Sequence, residues 1–234
     1  GRMKLFYGQI FPEVKINEEE QQHMLKVLRM KDGESISITD GLGNVATGTL
    51  RIEGKKVFLN ADKIEENLPD FSPKLHIAIA PTKNIDRTEF FLEKAVEMGI
   101  SEITFLLTEK SERKNLNFER FQKQAVAASK QSLRFHFPKI NNLTKLSDFM
   151  ESISSENIFV AHCHDNLERI SLKEVRTEND HITFLIGPEG DFSEREIQLL
   201  ADKGIKAISL GNQRLRTETA GIFVAAWNYY VQIK

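Results

Sequence analysis

The chain has 234 residues, with 32 Lys and Arg against 34 Asp and Glu, for a formal charge of −2. That length fits one large or two small domains, and the charge balance excludes a polybasic tail or a wholesale nucleic-acid wrapper, though not a local basic face. The single cysteine, Cys163, excludes an internal disulfide, no apolar run approaches the ~20 residues of a bilayer span, and no basic-then-apolar leader opens the chain, so the expectation is a cytoplasmic protein with no membrane segment. Gly1-Arg2 ahead of Met3 reads as a cloning remnant and is left out of the fold reading.

The first seventy residues read as mostly β. Residues 4–11 are strand-like, and Asn17 followed by Glu20 predicts a capping box opening a short helix whose apolar face is Leu25 and Leu28. Residues 34–39 alternate around Ile36 and Ile38, and Asp40-Gly41 follows as a turn signal. Residues 45–52 and 56–64 complete a strand series broken at Glu53-Gly54, and strands at this spacing predict a small barrel. Residues 65–73, with Pro69 and Pro73, form the expected linker, because proline fixes φ and removes a backbone donor.

Beyond the linker, apolar strands alternate with helices. Strands are predicted at 75–80, 103–107, 157–161, 182–186 and 206–210, and helices at about 86–98, 118–132, 145–153, 194–203 and 218–231. In the last helix Ala220, Phe223, Val224, Trp227 and Val231 keep helical spacing. This pattern predicts a parallel sheet covered on both faces, and topology rules alone predict an unknotted doubly wound one.

Ligands of such sheets bind beyond the carboxyl ends of the strands, and three ends are unusual. They are Pro81-Thr82-Lys83, the run Gly187-Pro188-Glu189-Gly190-Asp191-Phe192-Ser193, and the run from Gly211 to Thr219. In the second, glycines permit close backbone approach to a ligand, and Ser193 with Glu196 reads as a capping box. Its spacing is neither G-x-G-x-x-G nor a P-loop, and an ordinary strand-to-helix turn is the plainer reading. In the third, Thr217 is the expected N-cap and Glu218 suits the helix dipole, whereas Arg214 and Arg216 oppose it. That tension suggests a role in binding an anion or stabilising negative charge, and a solvated charged turn accounts for the pattern equally well.

Residues 110–139 hold eight Lys and Arg against Glu112 and Glu119, a net +6, with Phe135 and Phe137 interleaved with Arg134 and His136. A solvated helix face and a phosphate-binding surface both account for it. His162-Cys163-His164-Asp165 offers only His162 and His164 on one strand face, short of the four ligands a structural metal needs, so no metal is expected.

Taken together, Ile186-Gly187-Pro188-Glu189-Gly190, Leu210-Gly211 and Leu215-Arg216-Thr217-Glu218-Thr219-Ala220 resemble the RsmE family. These are uridine-N3 methyltransferases of small-subunit ribosomal RNA, within the SPOUT superfamily. His23-x-x-x-Val27-Leu28-Arg29-x-x-x-Gly33, Glu93-Lys94-Ala95-x-Glu97-x-Gly99 and Gln131-Ser132-x-Arg134 also match, so the resemblance spans nearly the whole chain. The chain departs from the family at Asp191, where a second glycine is usual, at Gln213, where arginine is common, and at Arg214, where an aliphatic is usual.

The resemblance implies a small PUA-like RNA-binding β-barrel at 3–70 and an α/β SPOUT methyltransferase domain with a trefoil knot at 74–234. It implies S-adenosylmethionine as cofactor, held by Leu185, Ile186, Gly187, Leu210, Gly211, Leu215 and Thr219. It implies a homodimer joined through the last helix, and 16S ribosomal RNA in the small ribosomal subunit as partner, met by Arg29, Lys83, Lys123, Lys130 and Arg134. Methylation at uridine N3 requires loss of an imide proton and a place for the resulting negative charge. Glu218 is the expected base or base-orienter, Arg216 the charge stabiliser, and Glu189 the alternative base. An RNA-binding scaffold with a degenerate cofactor site and a related SPOUT enzyme acting on ribose or transfer RNA are the rivals. The intact glycine loops argue against the first and the motif around His23 against the second.

Overall fold

In the computed structural model, which describes residues 3–69, 74–154, 156–165, 167–176 and 180–233, side-chain alternation builds two cores. Gly1, Arg2 and the linker residues 70–73 lie outside the described residues. The chain divides into one unit of Gly1–Asp70 with Val126–Phe137 and a second of Phe71–Ala125 with Pro138–Lys234.

The first unit contains β1 (Leu5–Gln9), β2 (Lys15–Ile16), α1 (Glu18–Gln22) continuing into a π-helical turn over His23–Val27, β3 (Ser35–Thr39), β4 (Asn44–Glu53) and β5 (Lys56–Glu66). The strands form one sheet in the order β2-β1-β3-β4-β5, with β1 parallel to β3 and the other pairs antiparallel. Phe6, Ile10, Met24, Ile38 and Leu50 fill its interior. The Gln21 amide joins the two edge strands: its Nε2 donates to the Ile16 carbonyl at 2.9 Å and its Oε1 accepts from Val57 N–H at 2.9 Å. That bridge curls the sheet toward the expected barrel.

Asn17 caps α1, accepting from Glu19 N–H at 3.0 Å, but the expected capping box does not form. The Glu20 carboxylate instead accepts from Tyr7 N–H at 2.8 Å and from Lys130 Nζ at 2.7 Å. Met24, fully buried, carries the apolar face, while Leu28 is exposed.

The second unit runs β6 (Lys74–Ile79), α2 (Ile85–Glu97), β7 (Glu102–Leu107), α3 (Phe118–Gln131), β8 (Lys139–Lys145), α4 (Leu146–Ser152), β9 (Ile158–Ala161), β10 (Ile170–Ser171), β11 (His181–Ile186), α5 (Glu194–Asp202), β12 (Lys206–Ser209) and α6 (Thr217–Gln232). From Val126 onward, α3 groups with the first unit. All the strands pair in parallel, in the order β10-β12-β9-β11-β6-β7-β8. The late strand β11 is thus inserted between β6 and β9, which sets the ends of β9, β11 and β12 side by side.

Sequence periodicity misses β8 because Lys-Ile-Asn-Asn-Leu-Thr-Lys is polar. It is an edge strand, where polar side chains are tolerated. Asn141 Nδ2 donates to Glu102 Oε2 at 2.6 Å and to Thr104 Oγ1 at 2.8 Å on the neighbouring strand.

Period-2 alternation sorts the strand residues between the two faces. Ala78, Val160 and Leu185 share a core with Phe149 of α4 and Ile197 of α5. Phe184 faces the other way, edge-on to Trp227 of α6 at 5.6 Å between ring centroids. On that face α6 crosses α2 at a glycine: a Cβ on Gly221 would lie 2.5 Å from the Phe91 ring and 3.1 Å from Ile79 Cδ1.

Gly221→Ala therefore tests packing against propensity. Alanine gains ~1 kcal/mol of helix propensity over glycine, whereas overpacking a closed core costs ~1–3 kcal/mol. Phe91 is fully buried, so its ring cannot swing out into solvent, and the clash wins. We expect a net loss of about 1–2 kcal/mol in urea unfolding, and an unchanged or raised midpoint would show that the ring moves aside.

Candidate functional site

The residue pairs Ala161–Ile186 and Ala161–Ile208 are in register at the carboxyl ends of β9, β11 and β12. Beyond them opens a cavity of ≈ 250 Å³. Of the residues singled out in the sequence, Ile186, Gly187, Glu189 and Leu210 line it, and so do Gly211, Leu215, Arg216 and Glu218. Leu185 and Thr219 do not. Leu185 alternates to the opposite face and is fully buried in the core beneath α4 and α5, and Thr219 is exposed on the outer side of α6.

Short polar bonds fix the second loop. A Cβ on Gly187 would meet Phe192 N and Cδ2 at 3.1 Å, so a side chain there would crowd the loop itself as well as any ligand. Asp191 holds φ 66°, a left-handed conformation that aspartate tolerates better than most residues. Its Oδ2 accepts from Cys163 N–H at 2.9 Å and its Oδ1 from Phe192 N–H at 2.7 Å. The expected capping box of Ser193 and Glu196 is present, and Glu196 Oε2 also accepts from Glu109 N–H at 3.1 Å.

The Glu189 carboxylate accepts from Lys83 N–H at 2.8 Å, which ties the second loop to the end of β6. That strand end is itself anchored, since Arg113 donates to the carbonyls of Thr82 at 3.0 Å and Lys83 at 2.7 Å.

In the third loop Gly211 sits at φ 115°, a region that side chains other than glycine rarely enter. The N-cap of α6 is Arg216, not Thr217. The Thr217 hydroxyl is drawn away from a capping role because it donates to the Gly187 carbonyl at 3.0 Å, inside the protein. Glu218 is buried, 8 % exposed, with its carboxylate 4.0 Å from Arg87. Arg87 lines the cavity and was missed by sequence reasoning. The signal was available: it stands in the first turn of α2, where a cation opposes the dipole as Arg214 and Arg216 do near α6.

His162 also lines the cavity and is 4 % exposed. Its Nδ1 accepts from His164 N–H at 3.1 Å, and its Nε2 has no hydrogen-bond partner. Burial pulls its pKa down to about 4, Asp191 opposes the shift, and His164 and Arg169 add to it, so the ring is neutral at physiological pH. His164 Nε2 is bonded to the Phe192 carbonyl at 2.7 Å. Among the described residues no group of three or more His, Cys, Asp or Glu is placed to hold a metal ion.

The basic segment divides. Lys130 is half-buried on Glu20 and Arg134 is buried, so neither presents its charge as a surface contact. Folding turns them inward because Glu20 needs a counter-charge and the turn after α3 packs into its own unit. Arg120 donates to Glu89 at 2.7 Å. Lys83, Lys123 and Arg29 are exposed, Arg29 at φ 48°. No helix among the described residues is long and apolar enough to cross a membrane.

Residues 70–228 match the family model described as RNA methyltransferase domain, and residues 16–60 match that described as RNA methyltransferase PUA domain. The chain is 29% identical over 217 residues to a Rickettsia conorii protein named ribosomal RNA small subunit methyltransferase E, covering 92% of this chain and 88% of the relative. The crystal structure of a probable rRNA-methyltransferase from Porphyromonas gingivalis superposes with a TM-score of 0.88 at 32% identity over 98% of each chain. A ribosomal RNA small subunit methyltransferase E from Neisseria gonorrhoeae, solved bound to S-adenosyl methionine, superposes with a TM-score of 0.83 at 25% identity, again over 98% of each chain. The insertion of β11, the glycine-bounded cavity at its end and these matches along most of the length agree, and the chain belongs to the RNA methyltransferase family, of the RsmE type.

Proposed function

We propose that the protein transfers a methyl group from S-adenosylmethionine to N3 of a uridine in 16S ribosomal RNA, acting in the cytoplasm on the small ribosomal subunit. The cavity at the ends of β9, β11 and β12 carries this reading. Its floor is apolar, formed by Ala161, Ile186 and Ile208 in register, while Arg87, Asp191, Arg216 and Glu218 are among the residues that bring charge to its walls. A nucleoside joined to a charged amino acid fits that division, with backbone at Gly187 and Gly211 free of side chains. The trefoil knot implied by the SPOUT resemblance is part of the same proposal, as are a PUA-like domain at 3–70 and a methyltransferase domain at 74–234.

When bound, S-adenosylmethionine supplies a sulfonium methyl, an electrophile that needs no metal. The protein's own residues supply the rest. Glu218, held in the first turn of α6 by the Thr217–Gly187 hydrogen bond, takes the imide proton or orients the group that does. Arg216, exposed over the cavity, donates to the uracil carbonyl oxygens as charge spreads onto them. Arg87 neutralises Glu218 before the base arrives. Glu189 is the weaker candidate for a base because its carboxylate is already engaged by Lys83 N–H.

Apolar side chains left outside on α6 support a homodimer. Ala220 and Val224 of the predicted stripe are buried in the unit, but Phe223, Tyr230, Val231 and Ile233 are exposed, as is Phe90 on α2. Sedimentation at micromolar concentration should give a dimer, and Phe223→Lys with Val231→Lys should give monomers. A wild-type monomer would remove this part of the proposal.

Of the cations expected to meet RNA, Lys83 and Lys123 are exposed and are the ones assigned to that contact. Replacing both by Ala should weaken binding to small subunits and reduce the salt slope by about 1–2, with cofactor affinity unchanged. Lys130→Ala should instead lower stability, because it leaves Glu20 without its counter-charge.

Single-turnover methylation of purified small subunits tests the chemistry. Arg216→Ala should slow transfer by ~10²–10³ with little change in cofactor affinity, because the interaction strengthens only in the transition state. Glu218→Gln should lose activity at neutral pH and recover part of it at high pH, where hydroxide removes the imide proton. A Glu218→Gln variant that melts lower yet methylates at the wild-type rate would reduce Glu218 to a helix-end residue.

A further inference from the structure

One polar atom in the cavity is buried and unmatched. His162 Nε2 has no partner, and the residue is 4 % exposed. A buried donor without an acceptor costs ~1–3 kcal/mol, so such atoms are uncommon unless something outside the chain completes them.

The tautomer follows from the other ring nitrogen. Nδ1 accepts the backbone N–H of His164 at 3.1 Å and so carries no proton. In a neutral ring the proton is then on Nε2, which is a donor. The segment that carries the ring is held from several sides. His164 Nε2 is bonded to the Phe192 carbonyl at 2.7 Å, Asp191 Oδ2 accepts from Cys163 N–H at 2.9 Å, and Arg169 Nη1 donates to the His162 carbonyl at 2.8 Å. The His162 and His164 rings meet edge-on with centroids 5.4 Å apart.

Strand order says which end of the cavity this donor serves. His162 follows Ala161 at the end of β9, which lies between β12 and β11. Beside it lie the apolar floor of Ala161, Ile186 and Ile208 and two charged lining residues, Arg169, whose guanidinium is on the His162 carbonyl, and Asp191, whose carboxylate is on Cys163 and Phe192 N–H. Glu189 is bonded to the end of β6, on the far side of β11, and Arg87 and Glu218 come from the first turns of α2 and α6. The charged groups beside His162 are thus already engaged within the chain, and the buried Nε2–H is left without an acceptor beside the apolar floor. A carboxylate or ammonium buried there would cost far more than a neutral ring does. A planar heterocycle with an unprotonated ring nitrogen matches an apolar floor and one in-plane donor.

We propose that His162 is a specificity-determining residue of the cofactor site, donating its Nε2–H to an acceptor nitrogen of the purine base. This rests on the reading that the cavity holds S-adenosylmethionine. The interaction selects for a base with an acceptor at that position and orients the nucleoside, leaving the amino-acid portion to the charged walls. His162 is a binding residue here and takes no proton during transfer.

Calorimetry on the full chain tests it with two probes: S-adenosylhomocysteine, and 5′-methylthioadenosine, which keeps the nucleoside but lacks the amino-acid portion. His162→Phe keeps a ring and removes the donor, and should weaken both compounds by the same factor, about three- to tenfold for one net hydrogen bond. His162→Gln retains an N–H and should recover part of the loss. In the wild-type chain, the Nε2–H resonance of ¹⁵N-histidine-labelled protein should shift downfield when 5′-methylthioadenosine binds. A purely structural His162 would lower the melting temperature without these changes. Unaltered affinities in His162→Phe, a loss for S-adenosylhomocysteine alone, or an Nε2–H signal unmoved by 5′-methylthioadenosine would each overturn the proposal. The last readout needs no variant and decides the matter even if His162→Phe fails to fold. If the wild-type chain binds neither compound, the cofactor reading itself falls, and this inference with it.

Discussion

The site depends on one buried hydrogen bond, from the Thr217 hydroxyl to the Gly187 carbonyl at 3.0 Å. It joins the loop after β11 to the first turn of α6, two segments thirty residues apart. Away from water such a bond has no solvent competitor, and leaving either group unsatisfied costs ~1–3 kcal/mol. α6 accordingly begins at Arg216 without a side-chain cap, with the Thr217 hydroxyl engaged at Gly187. Glu218 follows directly in the chain, so the bond sets where the buried carboxylate stands relative to Arg87.

A second clip, built on Asp191, does for the end of β9 what Thr217 does for α6. Glycine suits a left-handed residue, so a chain with aspartate at φ 66° accepts some backbone strain there. What it gains is a carboxylate holding Cys163 N–H and Phe192 N–H. The departure from the family pattern is thus not a loss of the loop. Flexible backbone has been exchanged for a fixed contact between two strand ends, and the His162–His164 segment is positioned by it.

Much of the architecture was legible because it rests on local periodicity. The 3.6-residue spacing in α2 and α6 and the apolar runs of β6, β9 and β11 are visible one segment at a time. What was not legible depends on partners far along the chain. Glu20 looks like a capping residue three positions after Asn17, and only the fold brings Tyr7 N–H and Lys130 to it. Arg134 looks like a phosphate ligand until burial is known. The polar strand β8 carries no apolar signal because it lies at an edge and bonds sideways through Asn141. In the cavity, glycine loops and Arg216-Thr217-Glu218 could be read directly. Arg87 showed only as a cation in the first turn of α2 and His162 only as half of a metal-like pair, and the sheet alone sets them beside the others.

The apolar floor and the charged walls of the cavity follow from the same topology. Inserting β11 between β6 and β9 places two kinds of neighbour on either side of one strand end. Toward β9 and β12, Ala161 and Ile208 pair in register near the strand ends and give the cavity an apolar floor. Toward β6 the chain turns at once into helix α2, whose first turn lies near solvent and can keep a partly exposed Arg87 beside Glu218. Charge that lies inside the cavity is held by partners within the chain, Glu218 beside Arg87 and Asp191 on two backbone N–H groups. A sheet ordered by simple succession would not bring these strand ends together, so the late insertion of β11 sets the fold and the polarity of the site at once.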